Sequence, residues 1–595
     1  MSDDVFESSV VATGLLADFS TAGAISWNGV QLARTLSWLT GEQRPEVLLA
    51  VALCLRAQES GSVCLPIDDL QPPPEKLAWP DRKGWLSMLA DSPLVAVGDQ
   101  PEANQRPLRL VDRQLYLERN WQSEERVRIA LTSRISLPPP PVCPEQLNDA
   151  FEQARSLATS GPVLTTAQRD AVRTSISSWT SVIAGGPGTG KTTTIAQLLR
   201  VLDNLVTTRT SVALASFTGK AAARMQESLD ASLAGSELRG PAWQHLQVRP
   251  ATTLHALLGA RPGGHMTRNA GNPLPHDLLI IDEMSMVSLD LMAALMAALR
   301  PTTRLVMVGD PHQLSSVDAG AVLADIVSAG LPMSSGDPQS AITELTDSHR
   351  FTGPIQELAE AIQAARTDDA LDLLRSGGTE LAWIDVDPDP QMLASIEPLA
   401  RQITVQGQEM VSAARQGRSE QALAAMDAHR LLCAHRHGPY GVGGWSRAVE
   451  AEIRKAVPGY ARTGEWYLGR PLLITRNAPD LQISNGDTGV VVLIDDQIQV
   501  ALSSGDQPRL RSPWLLDSSE TMHAMTVHKS QGSEYNSVTV VLPATGSPLL
   551  TRELFYTAVT RAQKHVRILG SAEAIAQAIN TPARRATGLG RRLNR

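Results

Sequence analysis

Eight consecutive residues carry the strongest chemical signal in this sequence: Gly185-Gly186-Pro187-Gly188-Thr189-Gly190-Lys191-Thr192, a complete G-x-x-x-x-G-K-T. The apolar run Ser181–Ala184 precedes them and the helix-favouring stretch from Thr193 to Leu202 follows, which is the strand–loop–helix setting of a phosphate-binding loop. The glycines let the backbone wrap phosphates with N–H groups at a helix N-terminus, where the dipole favours an anion. In that setting Lys191 neutralises the β- and γ-phosphates, and Thr192 offers its hydroxyl to Mg²⁺. The expected chemistry is hydrolysis of a nucleoside triphosphate.

Two further elements supply what such chemistry needs. Asp282 and Glu283 end the apolar run DLLII, and a carboxylate at the carboxyl end of a buried strand lies beside the phosphate loop in an α/β sheet. Asp282 is expected to hold Mg²⁺ and Glu283 to orient and activate the attacking water. Gln313, in Gly309-Asp310-Pro311-His312-Gln313-Leu314 after the apolar run RLVMV, has the reach to touch a γ-phosphate from a neighbouring strand.

The loop, then DEMSM (282–286), then GDPHQL (309–314), resembles the first motor domain of a superfamily 1 helicase. SFTGKAAARM (216–225) and ATTLHALLG (251–259) resemble that family's DNA-contacting motifs, implying Thr218, Lys220, Thr253 and His255 as DNA contacts. LTDSHRF (345–351) and LFYTAVTRAQ (554–563) resemble motifs IV and VI, implying Arg350 and Arg561 as arginine fingers. AMTVHKSQGSEY (524–535) resembles motif V, implying Thr526, His528 and Lys529 on DNA and Gly532 and Glu534 on the nucleotide. The resemblance also implies Gln168 as the adenine reader, and Gly185 to Thr193 as the rest of the ATP site. Within the superfamily the chain is similar to the 1B branch, which moves 5′ to 3′, and most similar to the RecD family of exodeoxyribonuclease V. That likeness implies ATP and Mg²⁺ as cofactors and RecB-like and RecC-like subunits as partners, with the N-terminal domain docking on RecC. It also implies single- and double-stranded DNA as substrates and a nuclease site in a partner chain. A stand-alone RecD-like helicase, and a non-catalytic scaffold with a decayed ATP site, are the competing readings.

The elements that must position these residues follow from patterning. Apolar runs at 181–184, 211–215, 277–282 and 304–310 alternate with helical stretches, the mark of a parallel sheet covered on both faces. The expected fold class is α/β, with two RecA-like parallel-sheet motor domains, a small β-rich (SH3-like) insertion in the second, and an N-terminal α/β domain. Pro138–Pro141 reads as a stiff extended linker. The expected boundaries are 1–137 for the N-terminal domain, 138–144 for the linker and 145–330 for the first motor, with 259–277 as a hairpin insertion. The second motor spans 331–435 plus 520–582 around the insertion at 436–519, and 583–595 is expected to be a flexible basic tail. Trp445, Trp466 and Tyr467 are expected to pack the insertion, with base stacking as the alternative.

Composition bounds the rest. The 595 residues exceed one compact domain, and 43% hydrophobic with 19% charged residues is an ordinary globular balance. Four scattered cysteines with no C-x-x-C pair argue against a disulfide framework or zinc ribbon. No apolar run reaches membrane length and no signal peptide opens the chain, so a cytoplasmic protein is expected. The formal net charge of -9 argues against a polyanion partner, in tension with the motifs.

Overall fold

The computed structural model describes residues 13–70, 77–100, 106–156, 164–233, 243–261, 263–334, 339–347, 353–462, 464–503 and 507–594. Four sheets organise them. The first joins β1 (Cys64–Pro66), β2 (Val95–Val97), β3 (Leu108–Val111) and β4 (Gln114–Leu117) in the order β1-β4-β3-β2. Asp112 and Arg113 turn β3 into β4, and both adopt the positive φ that a type I′ hairpin requires. The helix Pro45–Glu59 begins on its proline and buries Val47 to Cys54 without a break, so it is a core helix rather than a surface one. The helix Glu118–Ile135 then leaves this unit: Trp121, Val127 and Leu131 share a core with Leu291, Met292 and Leu295 of the next. Near its end the buried Arg134 donates to Thr180 Oγ1 at 2.7 Å and to the Trp179 carbonyl at 2.6 Å, fixing the N-terminal unit to the start of the following sheet.

That sheet holds β5 (Thr180–Gly185), β6 (Thr210–Ser216), β7 (Leu246–Val248), β8 (Thr252–Thr253), β9 (Leu278–Asp282), β10 (Arg304–Gly309) and β11 (Ile342–Leu345). Its order is β11-β5-β10-β9-β6-β7, with β8 also beside β6, and every pairing is parallel. Side chains alternate strictly between two cores. Ile280, Val306 and Val308 face one, while Leu279, Ile281 and Met307 face the other. With β10 between β5 and β9, the carboxyl ends of these three strands open side by side.

The second parallel sheet begins with β12 (Leu381–Ile384) and β13 (His429–Cys433). The chain then leaves to build an antiparallel sheet of β14 (Pro471–Ile474), β15 (Thr488–Ile494), β16 (Gln497–Leu502), β17 (Arg509–Arg511) and β18 (Ser519–Thr521), ordered β17-β16-β15-β14-β18. It returns as β19 (Ala524–Thr526), β20 (Tyr535–Val541) and β21 (Ala562–Leu569), giving β12-β21-β20-β13-β19, again all parallel. The segment 436–519 is not strand-rich throughout, which corrects the reading from composition. Its first part is the helix Val442–Ala456, whose Trp445, Val449 and Ile453 repeat at helical spacing and pack with Leu431, Cys433 and Val541 of the parallel sheet. Trp445 and Tyr467 are buried there, and Trp466 lies under Arg470.

The end of the chain is not a loose basic tail. Ala586 accepts from Val63 N at 2.8 Å, and Gly588 N donates to Glu124 Oε2 at 3.0 Å. Arg592 meets Glu124 at 3.0 Å with both side chains buried, and Leu589 joins the core beneath the helix Glu118–Ile135. A Cβ at Gly588 would lie 2.1 Å from the Tyr116 hydroxyl, so only glycine lets the chain pass this close. Five arginines in fourteen residues read as solvated, but Arg585 bonds to the Asp318 and Gly320 carbonyls and Arg592 to the buried Glu124, so the described part of the segment is a strap. Beside it, Thr587 Oγ1 donates to Asp325 Oδ1 at 2.8 Å.

Burial, the first cause, raises the Asp325 pKa to about 7, and Glu124 adds repulsion. The folded chain therefore holds this proton more tightly than the unfolded chain, and the stability it favours drains away as pH rises from about 4 to about 7. Asp325→Asn is expected to raise the thermal midpoint by a few degrees at pH 8 and to change it little at pH 4.5, as differential scanning fluorimetry would show.

Candidate nucleotide and nucleic-acid site

The phosphate loop joins β5 to the helix Lys191–Leu205. Gly188 and Gly190 take φ of 81° and 80°, which side-chain-bearing residues adopt only with strain. Lys191 Nζ donates to the carbonyls of Gly185 and Gly186 at 2.8 and 2.9 Å, which holds the ammonium across the loop mouth. Thr192 and Thr193 open the helix and line the same cleft. Gln168 belongs to a capping box: its Oε1 accepts from Thr165 N at 3.1 Å, and its Nε2 donates to the Thr189 carbonyl at 3.2 Å. Its amide thus braces the loop, and its side chain lines the same cleft.

Asp282 ends β9, and its Oδ1 accepts from Glu283 N at 2.8 Å while Glu283 sits at φ 55°. Burial raises both carboxyl pKa values, and Asp282 adds repulsion at Glu283; Lys191 opposes the shift at Asp282, and Arg561 and Lys191 oppose it at Glu283. Such a pair calls for added positive charge. Gln313 donates to Asp310 Oδ2 at 3.1 Å, but its buried Oε1 has no partner within the protein. That orphan acceptor and the carboxyl pair fit a hydrated cation and a polar ligand between them.

The second parallel sheet closes the cleft. Arg561, 3% exposed, donates from Nε to the Thr557 carbonyl at 3.1 Å and from Nη1 to the Ser533 carbonyl at 3.3 Å. Arg561 lines the same cleft as Lys191, Asp282, Glu283, Gln313 and Gly532, a cavity of about 820 Å³. Glu534 lines it too, and accepts from Gln563 at 3.2 Å. Arg350 lies outside the described residues.

Sequence reasoning missed the groups that join the two sheets. Tyr556 donates to Asp310 Oδ2 at 3.1 Å; Thr557 Oγ1 accepts from Leu314 N at 2.9 Å; and Gln531 donates to the Leu314 carbonyl at 2.8 Å. Arg224 donates to the Gly532 carbonyl at 3.1 Å. The loop 309–314 is thus gripped by the elements carrying Gln531 and Arg561. The available signal was helical spacing, since Thr557 precedes Arg561 by one turn. Thr557→Val leaves the buried Leu314 N–H without an acceptor, at about 1–3 kcal/mol. It is expected to lower the thermal midpoint by a few degrees, as differential scanning fluorimetry would show.

The candidate DNA contacts share one geometry. Thr218, Thr253 and Thr526 each accept, through Oγ1, a backbone N–H three residues on: from Ala221 at 3.1 Å, Ala256 at 3.1 Å and Lys529 at 3.2 Å. Each hydroxyl caps a helical turn just past a strand end and keeps its own O–H to donate. Two residues beyond each stands Lys220, His255 or His528. These three capped turns, each with a hydroxyl and a nitrogen base or cation, make up the threonine row, the candidate contacts for a phosphate backbone. His255 packs edge-on against Phe217, and desolvation lowers the pKa of both His255 and His528. Lys529 is already engaged by Glu520 at 2.8 Å. Among the described residues of 259–277, Ala260 bridges Met266 and Asn269 bridges Asn272, both antiparallel.

Over 575 residues the chain is 42% identical to the RecBCD enzyme subunit RecD of Mycolicibacterium smegmatis, covering 95% of this chain and 96% of that protein. It belongs to the RecD family. The subunit of the same name from Mycobacterium tuberculosis is 42% identical over 591 residues, covering 98% and 97% of the two chains. Residues 21–116 match the N-terminal domain of RecBCD enzyme subunit RecD, 168–319 an AAA domain, and 521–569 a UvrD-like helicase C-terminal domain. The likeness to the ATP-dependent RecD2 DNA helicase of Deinococcus radiodurans is 32% over 398 residues, covering 66% of this chain and 47% of that protein. In RecD terms, the cleft and the threonine row lie in the two matched motor segments. No helix among the described residues is long and apolar enough to cross a membrane.

Proposed function

We propose that this chain is the ATP-driven, 5′-to-3′ DNA translocase and helicase subunit of a cytoplasmic RecBCD-type enzyme, working with RecB-like and RecC-like partners on double-strand ends. The observation that carries the reading is the cleft in which Lys191, Asp282, Glu283 and Gln313 of one parallel sheet face Arg561 of the other. Lys191 draws charge from the β- and γ-phosphates, and Glu283 orients the attacking water. Arg561 spreads the charge that develops in the transition state, so turnover requires the two sheets to be closed on one another. Thr192 and Asp282 would hold Mg²⁺, which when bound neutralises phosphate charge. Loss of the γ-phosphate removes the ligand joining Lys191 to Arg561, and the cleft relaxes. The loop 309–314 and the elements from Thr526 to Gln531 then carry that motion to the threonine row, whose members lie on both sheets. DNA gripped alternately by the two halves of that row is moved along. Phosphate release by the purified chain, with and without single-stranded DNA, tests the reading. Turnover that rises with DNA supports it, and turnover indifferent to DNA opposes it.

A further inference from the structure

The best-placed cations for DNA are occupied by a side chain of this protein. β13 and β19 are parallel neighbours with Cys433 opposite Thr526. Three residues beyond each of those positions stand Arg436 and Lys529, at equivalent places past the carboxyl ends of adjacent strands. Glu520, in β18 of the antiparallel sheet, takes one with each oxygen: Oε1 lies 2.7 Å from Arg436 Nη2 and Oε2 lies 2.8 Å from Lys529 Nζ. Lys529, then Arg436, hold its carboxyl below the usual carboxylate range. A cavity of about 180 Å³ opens beside the three groups and is also lined by His437, Thr521 and Thr526. The Arg436, Glu520 and Lys529 side chains are 60%, 42% and 35% exposed, so a ligand reaches them directly.

We propose that Arg436 and Lys529 form a phosphate subsite for the nucleic-acid backbone, and that Glu520 stands in for the phosphate until DNA arrives. The inference rests on the DNA-motor reading above and adds a residue, Arg436, and a competitor, Glu520, to it. A guanidinium fork and an ammonium on one carboxylate match what the same two groups would offer a phosphate. Exposed ion pairs are weak, so a phosphate already held at Thr526 and its neighbours displaces the carboxylate at little cost. Because Glu520 belongs to the antiparallel sheet and the cations to the parallel one, exchange also releases a tie between these two sheets.

The test is binding of fluorescein-labelled oligo(dT) by the full chain, followed by anisotropy at low and moderate salt. Glu520→Gln is expected to tighten binding roughly 3- to 10-fold at low salt, with the gain shrinking as salt screens the competition. In an Arg436→Ala, Lys529→Ala background the same substitution is expected to change nothing. A gain that persists in that background means Glu520 merely repels DNA, and overturns the proposal. Unchanged affinity of the single variant, with the wild type binding normally, overturns it while leaving the motor reading intact. Absence of any binding by the wild type removes both. Thermal midpoints of all variants confirm that each is folded.

Discussion

Lys191→Gln is expected to leave the chain folded and to abolish DNA-stimulated ATP hydrolysis. The ammonium bonds to the carbonyls of Gly185 and Gly186, at the mouth of a loop whose path is set by Gly188, Gly190 and the Gln168 brace. A neutral amide can replace those bonds, so the thermal midpoint should move by no more than a degree or two. What the amide cannot supply is positive charge beside Asp282 and Glu283, whose carboxyl pKa values burial already raises. Preorganised charge in a partly dry cleft is the main catalytic resource of phosphoryl transfer, and its loss lowers turnover by roughly 10³. Steady-state phosphate release on saturating single-stranded DNA measures this directly.

Arg561→Ala is expected to reduce turnover by about 10³–10⁵ while changing the ATP KM little. The side chain is buried, and two of its donors are spent on the Thr557 and Ser533 carbonyls, so its position is set by the elements on its own side of the cleft. In the proposed mechanism the remaining donors meet the nucleotide only when the two parallel sheets are closed on one another. An interaction made mainly in the transition state shows in kcat rather than KM. Arg561→Lys keeps the charge but loses the fork, and separates the chemical role from a packing loss: it should remain folded and still turn over poorly. Equal losses in kcat and in nucleotide affinity would assign Arg561 to ground-state binding instead.

The cleft was legible because its parts are local. Gly185 to Thr192 encode a loop geometry within eight residues, and Asp282 and Gln313 follow apolar runs that could only be buried parallel strands. Contacts made between distant segments were not legible. Tyr556 reaches Asp310 across 246 residues and Thr557 reaches Leu314 across 243, and nothing in either neighbourhood announces the other. The C-terminal arginines misled for the same reason, since the buried partner of Arg592 is Glu124 on a helix near the other end of the chain. The net charge of -9 misled differently. A bulk sum cannot show that Thr218, Thr253 and Thr526 each cap a turn with a hydroxyl free to donate, nor that Glu520 neutralises both Arg436 and Lys529.

The central claim is that nucleotide turnover in this cleft moves the chain along DNA in one direction. Unwinding of matched partial duplexes, one with a 5′ single-stranded tail and one with a 3′ tail, by the wild type and by Lys191→Gln measures it. The account predicts ATP-dependent unwinding of the 5′-tailed duplex by the wild type alone. Unwinding confined to the 3′-tailed duplex, or equal unwinding by Lys191→Gln, would contradict it.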